Sequence, residues 1–172
     1  MRRLLLFLAV GLAGAAALSG VFAATSSIAS LFSEARAQIG SKPQVPVYLP
    51  SRLPRELTNH GIKLAVGQRI PGGYTVSLYY SEQPSNASFA GMISGSSTTY
   101  QALPNTQAVL LNNGAKALFR PVSCGGSCAP ANLWWHTGSS EYQIQLKLSS
   151  QLPRNTQLSA LLVAADSMVL YR

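Results

Sequence analysis

Between residues 62 and 148, several short runs alternate between apolar and polar side chains, as half-buried β-strands do. In residues 74–80 (YTVSLYY), the even positions are apolar or aromatic and face opposite to Thr75, Ser77 and Tyr79. In residues 142–148, the face formed by the even positions (Tyr, Ile, Leu, Leu) is apolar, while Gln143, Gln145 and Lys147 share the other. Further strands are predicted over residues 62–66, 89–94, 108–111, 115–119 and 133–136.

Turn signals separate these runs. Asn112-Asn113-Gly114 lies between two apolar runs and predicts a hairpin, because Asn-Gly favours the tight turns that match strand twist. Residues 137–140 (TGSS) predict a second hairpin, and residues 68–73 (QRIPGG) predict a turn from their Pro-Gly pair.

The chain changes to a helical period near residue 155. Asn155 or Thr156 is suited to cap a helix. Its apolar positions recur at helical spacing on one broad face: Leu158, Leu161, Leu162, Ala165, Met168 and Val169. Asp166 and Ser167 are expected to face outward.

A proline-rich stretch, residues 46–54 (PVYLPSRLP), precedes the strands. Proline fixes φ and biases the preceding residue toward extended geometry. We therefore expect an extended segment lying along the domain rather than a regular strand. Tyr48, Leu49 and Leu53 would anchor it, while Arg52 and Arg55 would point to water.

These elements predict an α+β fold, a single domain over residues 46–172 in which an antiparallel β-sheet packs against a C-terminal α-helix. Residues 24–45 predict a short helix and a linker, with Ser26 or Ser27 as the cap and Gly40 as the stop. This helix either packs on the domain or remains a mobile leader, and we favour a partly ordered leader.

Residues 1–23 predict a secretory signal peptide. Two arginines precede residues 4–23, a run of 20 residues without a charge that ends in Val21-Phe22-Ala23. Such a signal would direct export, and cleavage after Ala23 would release the domain into the periplasm or the extracellular space. The alternative is an uncleaved anchor that tethers it to the inner membrane, since 20 apolar residues can also span a bilayer.

The charge balance is basic. The chain has 13 Lys and Arg against 5 Asp and Glu, a net charge of +8; without Arg2 and Arg3 these become 11 and 5, or +6. Such an excess favours an anionic envelope polymer or lipid surface, and a partner protein is a further alternative. We expect no nucleic-acid partner, because no Lys/Arg run is interleaved with aromatic residues.

Cys124 and Cys128 flank Gly125-Gly126-Ser127, and the chain has no other cysteine. In an exported chain a disulfide is the default for such a pair. A redox pair of the thioredoxin type has two intervening residues instead of three. A zinc site needs four ligands, and only His60 and His136 are available to help. We therefore predict a structural disulfide, with no metal and no cofactor.

Trp134 and Trp135 are adjacent on a predicted strand and so face opposite sides of the sheet. In one interpretation both are largely buried. In the other, the outward tryptophan stacks on a sugar ring and forms a ligand surface with Arg52 and Arg55. We expect His136 to be a surface or turn histidine.

Catalytic groups are sparse. Beyond the leader the carboxylates are isolated in sequence: Glu34, Glu56, Glu82, Glu141 and Asp166. General acid–base chemistry needs a positioned group with a suitable pKa, and Glu141 near His136 is the nearest approach to a pair. We predict a non-enzymatic binding or structural module. The alternatives are an envelope hydrolase or thiol-redox enzyme, and the partner-binding part of an envelope regulatory complex.

The order of VPVYLPSRLP, GYTVSLYYSE, ALFRPVSCGGSCAPANLWW and LLVAADSMV resembles a family of uncharacterised exported cyanobacterial proteins with a CGGSC-P…W core. The resemblance covers residues 43–170, and CGGSC is its most specific part. Some relatives carry additional cysteines near Ser85 to Phe89, where this chain has none. The ending is also similar to small sheet-plus-helix modules of envelope and anti-sigma regulators. The family has no assigned activity, so the resemblance implies location and fold but no site residues.

Overall fold

A computed structural model describes residues 27–97 and 105–171. The predicted signal peptide lies outside these residues. The elements follow in chain order: α1 Ile28–Ile39, β1 Val47–Pro50, α2 Arg55–Thr58, β2 Leu64–Ile70, β3 Gly73–Tyr79, β4 Phe89–Ser96, β5 Gln107–Leu110, β6 Lys116–Arg120, β7 Ser123–Cys124, β8 Cys128–Ala129, β9 Ala131–Thr137, β10 Ser140–Leu146, α3 Arg154–Ala165 and β11 Met168–Tyr171. The predicted α+β class, with antiparallel strands and a helix near the C-terminus, is confirmed. None of the helices in these residues is both long and apolar enough to cross a membrane.

The main sheet has seven antiparallel strands in the order β2-β3-β4-β10-β9-β6-β5. Both predicted hairpins are confirmed: β5 pairs with β6 around Asn112-Asn113-Gly114, and β9 pairs with β10 with Thr137 opposite Ser140. Gly114 and Gly138 have positive φ in these two turns, a conformation that glycine adopts at little cost.

The two faces of this sheet differ. One, the covered face, carries large side chains that are 0% exposed: Tyr74, Val76, Leu78, Phe119, Leu133, Ile144 and Leu146. The alternate positions form the other, the open face: Thr75, Ser77, Met92, Ser94, Leu118, Arg120, Asn132, Trp134, Gln143 and Gln145. Helices α1 and α3 lie on the covered face, where Ala35 of α1 meets Gly67 and Arg154 of α3 lies over Phe119.

Helix α1 packs on β2, which corrects the expectation of a partly ordered leader. Ser27 caps the helix, with its Oγ accepting the Ser30 N–H at 3.2 Å. A Cβ on Gly67 would lie 1.9 Å from the Ala35 carbonyl oxygen, so only glycine permits this approach. Gln38 Oε1 accepts the Gly67 N–H at 2.6 Å and so protects a sheet edge that would otherwise be unpaired.

The proline-rich stretch contains a regular strand, contrary to expectation. Strand β1 pairs with β11 as a separate antiparallel ribbon, with Val47 opposite Tyr171 and Pro50 opposite Met168. Proline is tolerated because a two-stranded ribbon leaves one side of each strand without a ladder bond. The Tyr74 hydroxyl fixes the ribbon to the main sheet: it accepts the Tyr48 N–H at 3.0 Å and donates to the Tyr48 carbonyl at 2.9 Å.

The C-terminal helix is shorter than predicted. Helix α3 ends at Ala165, so Met168 and Val169 belong to β11 and not to the helix. Its N-cap is Pro153 rather than Asn155 or Thr156. The buried face is also rotated from the predicted one and is formed by Gln157, Ala160, Leu161, Ala164 and Ala165.

Ser167 does not face outward as expected. It is buried, its Oγ donates to the Ala164 carbonyl at 2.9 Å, and the Arg52 N–H donates to the same Oγ at 3.1 Å. These bonds turn the chain out of α3 and into β11. The pairing of β1 with β11, two strands that are far apart in sequence, therefore determines where α3 ends.

Candidate ligand-binding face

The two tryptophans lie on opposite faces of β9, as their adjacency predicts. Trp135 belongs to the covered face, is 5% exposed and stacks on Tyr142 with ring centroids 5.9 Å apart. Trp134 is half-buried on the open face. Trp134 is thus the outward member of the pair.

Trp134 is the centre of a small cluster that we call the Trp134 platform, formed by Trp134, Arg120, Gln143 and Asn132. Gln143 of β10 lies directly opposite Trp134, and Leu118 of β6 lies opposite on the other side. The Arg120 guanidinium carbon is 5.5 Å from the centroid of the indole ring, within the range of a cation–π contact.

Hydrogen bonds hold Gln143 beside the ring. Gln143 Nε2 donates to Asn132 Oδ1 at 2.6 Å, and Asn132 Nδ2 donates to the Pro130 carbonyl at 2.8 Å. Asn132 is 0% exposed, so its amide is a fixed support. Only the Nε2 atom of Gln143 takes part in these bonds, so its Oε1 accepts no hydrogen bond from the described residues. Gln143 is the cross-strand neighbour of Trp134.

The charge of the platform is positive. Within residues 27–97 and 105–171, no carboxylate pairs with Arg120; the ion pair found there joins His136 to Glu141. Lys116 is exposed on the same face of β6. An uncompensated guanidinium beside an aromatic ring suits an anionic or hydroxyl-rich ligand.

Hydroxyl and amide groups extend the platform across the sheet. Cross-strand neighbours form one row on the open face: Thr75, Ser94, Gln143, Trp134 and Leu118. A second row runs beside it: Ser77, Met92, Gln145, Asn132 and Arg120. Ser94 and Asn132 are buried, so the hydrogen-bonding groups that this surface offers beside the aromatic ring belong to half-buried residues: Thr75, Ser77, Gln143 and Gln145.

Arg52 and Arg55 do not join this surface. Arg55 borders a shallow pocket with Ser159 and Val163 of α3. Arg52 is exposed next to the turn that contains Ser167. Both arginines therefore lie on the side of the sheet where α3 and the ribbon pack, away from Trp134. The ligand surface expected from the sequence is split between two sides of the molecule.

Cys124 and Cys128 form the predicted disulfide, with the sulfurs 2.05 Å apart. Strands β7 and β8 form a small hairpin within the connection between β6 and β9, and the disulfide closes the tip of this hairpin. Both cysteines are exposed, as are Gly125, Gly126 and Ser127. The disulfide holds a projecting tip in shape and takes no part in the core.

His136 and Glu141 are cross-strand partners, with Nε2 and Oε2 separated by 3.4 Å. The histidine side chain is 54% exposed, as expected of a surface residue, whereas the glutamate is only 5% exposed. The two partners of this ion pair therefore differ sharply in their access to water. Among the described residues, no group of three or more His, Cys, Asp or Glu side chains is gathered as a metal site would require.

The alternation along β6 already indicated the direction of Arg120, a platform residue that the ligand surface predicted from the sequence did not include. In residues 116–120, Ala117 and Phe119 alternate with Lys116, Leu118 and Arg120. If the first two face the core, the side chain of Arg120 points away from it. What could not be deduced was the pairing of β6 with β9, which brings Arg120 to Trp134. The platform is interpreted from its own chemistry, because no protein-family model, curated protein or solved structure matches the chain.

Proposed function

We propose that this chain is an exported, non-enzymatic domain of the cell envelope that binds an anionic polysaccharide across its open face. The observation that carries the proposal is the Trp134 platform, in which the Arg120 guanidinium lies 5.5 Å from the centroid of the indole ring and pairs with no carboxylate of the described residues. Export is supported by the signal-like residues 1–23, by the disulfide and by the family that the chain resembles.

Each group of the platform has a role in this proposal. The Trp134 ring stacks against the apolar face of a sugar, which buries area without a need for exact hydrogen-bond geometry. Arg120 and Lys116 attract carboxylate or phosphate groups of the polymer. Gln143, held by Asn132, accepts a hydrogen bond from a sugar hydroxyl, and the half-buried Thr75 and Ser77 extend the contact to a neighbouring sugar.

The test is co-sedimentation of the full chain, produced with its own leader, with insoluble anionic cell-wall polysaccharide at low and high salt. Binding should weaken as salt rises, because screening reduces the attraction between exposed charges. Trp134→Leu and Arg120→Gln should each weaken binding by about tenfold, equivalent to about 1.4 kcal/mol. Arg69→Gln is the matched control: Arg69 is an exposed strand arginine at the far edge of the sheet, on β2.

Three results would contradict the proposal: no retention at low salt, an equal loss in Arg69→Gln, or full binding by Trp134→Leu. Anionic lipid vesicles are a parallel sample. Retention on vesicles together with none on the polysaccharide would assign the basic surface to a membrane instead.

A further inference from the structure

A small pocket lies on the covered side of the sheet, remote from the Trp134 platform. It has a volume of about 200 Å³ and forms where the end of α3, the β5–β6 turn and the ribbon meet above the sheet. Tyr48, Trp135 and Tyr142 contribute its aromatic walls, and Asp166, Asn112 and Thr137 contribute polar groups. This volume suits a ligand of only a few heavy atoms.

The three aromatic rings of the wall contact one another in two geometries. The Trp135 and Tyr142 rings stack with an interplanar angle of 27°, and the Tyr48 ring meets Tyr142 edge-on at 87° with centroids 5.3 Å apart. The Tyr142 hydroxyl donates to the Pro46 carbonyl at 3.1 Å, which fixes this ring. Burial raises the pKa of the Tyr142 phenol above its ordinary value. Aromatic rings that line a cavity attract a cation through their quadrupoles, and all three of these residues line this one.

The electrostatics of the pocket also favour a cation. Asp166 is the C-cap of α3, so its carboxylate adds to the partial negative charge at the end of a 12-residue helix. Asp166 Oδ1 accepts the Asn112 N–H at 2.8 Å, which orients the carboxylate at the pocket. Among the described residues that line this pocket, none is Lys, Arg or His. The chain is basic overall, but at this pocket a carboxylate lies beside three aromatic residues.

We propose that this pocket binds a small alkylammonium cation, with the aromatic rings of Tyr48, Trp135 and Tyr142 around the ammonium group and Asp166 as its counter-charge. A quaternary ammonium group suits the site best, since it needs no hydrogen-bond acceptors from the rings. The polar side chains of Asn112 and Thr137 are placed for a hydroxyl or amide on the rest of the ligand. This site is independent of the open face.

The first experiment uses the native full chain and two ligands of the same shape: choline and its neutral isostere 3,3-dimethylbutan-1-ol. Tryptophan fluorescence follows binding, because Trp135 is part of the wall, and NMR of the ligand methyl groups provides a second measurement. We expect saturable binding of choline and at least about tenfold weaker binding of the isostere. Equal binding of both ligands, or no saturable binding of choline, would overturn the proposal.

The second experiment compares Asp166→Asn with Glu82→Gln. Asparagine retains an oxygen that can accept the Asn112 N–H but removes the charge, whereas Glu82 is an exposed carboxylate elsewhere in the chain. Choline binding should weaken about tenfold or more in Asp166→Asn and remain unchanged in Glu82→Gln. A loss of equal size in both variants, or none in Asp166→Asn, argues against the site. If Asp166→Asn does not fold, the comparison of the two ligands on the native chain still decides the question.

Discussion

The same strands form both faces of the seven-stranded sheet, but the two faces carry different kinds of side chain. On β10, Tyr142, Ile144 and Leu146 are buried beneath the helices and the ribbon, while Gln143 and Gln145 alternate with them on the open face. On β9, Trp135 is part of the core and Trp134 is part of the platform. One face is specified by volume and close packing, whereas the other is specified by the polar, charged and aromatic groups that it carries, most of them half-buried. Stability and ligand binding should therefore respond to different substitutions only one residue apart.

The largest effect is expected from a pair of neighbouring substitutions on β10. Ile144→Ala removes a fully buried side chain at the centre of the covered face and should lower the free energy of unfolding by about 2–5 kcal/mol. Gln145→Ala, on the open face, should change it by no more than about 0.5 kcal/mol. Urea unfolding of both variants, followed by circular dichroism, measures the difference. Equal destabilisation by the two substitutions would show that the open face is also packed against part of the chain.

The second prediction concerns the attachment of the ribbon to the covered face. Tyr74→Phe removes the hydroxyl that bonds both the N–H and the carbonyl of Tyr48. It should lower the free energy of unfolding by about 1–3 kcal/mol, because two backbone groups lose their partner. Tyr171→Phe is the matched control, since no hydrogen bond of its hydroxyl is found in the described residues. An unchanged free energy in Tyr74→Phe would mean that the ribbon is held by its apolar contacts alone.

The third prediction concerns the pH dependence of the free energy of unfolding, which the Tyr74 phenol should influence at alkaline pH. Burial raises the pKa of the Tyr74 phenol above its ordinary value. Its contribution to stability is therefore fully present below about pH 10, the ordinary tyrosine pKa. At higher pH the unfolded chain releases the proton more readily than the folded chain, so the free energy of unfolding falls. This fall should be smaller in Tyr74→Phe, and unfolding curves measured on both sides of pH 10 would reveal it.

The smallest effect is expected at the hairpin tip, which belongs to neither face. Replacing both Cys124 and Cys128 by serine should lower the free energy of unfolding by no more than about 2 kcal/mol, since the disulfide closes a loop of only five residues. Thermal unfolding of the variant against the oxidised native chain measures this. A much larger loss would indicate that the tip is needed for the pairing of β6 with β9. Binding by the Trp134 platform should be retained in the variant, provided that β6 and β9 remain paired.

Local patterns predicted the parts of the fold that depend on neighbours in sequence. The alternation in residues 74–80, the Asn-Gly turn and the opposite directions of Trp134 and Trp135 all depend on backbone geometry within a few residues, and the structure confirms them. The disulfide was also predictable, because its partners are only four residues apart in sequence.

Non-local pairing explains the errors. Met168 and Val169 continue the helical spacing of α3, but β1 provides a strand partner for them, and Ser167 bonds to the chain around Arg52 instead of to water. Likewise, Arg120 reaches Trp134 only because β6 pairs with β9. No local pattern in the sequence indicates that a strand before residue 55 meets the last strand of the chain.

The ribbon has a consequence for the order of folding. The Ser51 N–H and hydroxyl both donate to the Ser167 carbonyl, bonds that join residues 116 positions apart. Closing so long a loop has a large entropic cost that only the finished contacts offset, so such pairings form late. A chain emerging from the ribosome cannot form the ribbon until β11 is free to pair with β1. Strand β1 would therefore lack its pairing partner while residues 51–167 are being synthesised, and the segment that joins the ribbon to the main sheet would be completed only after them.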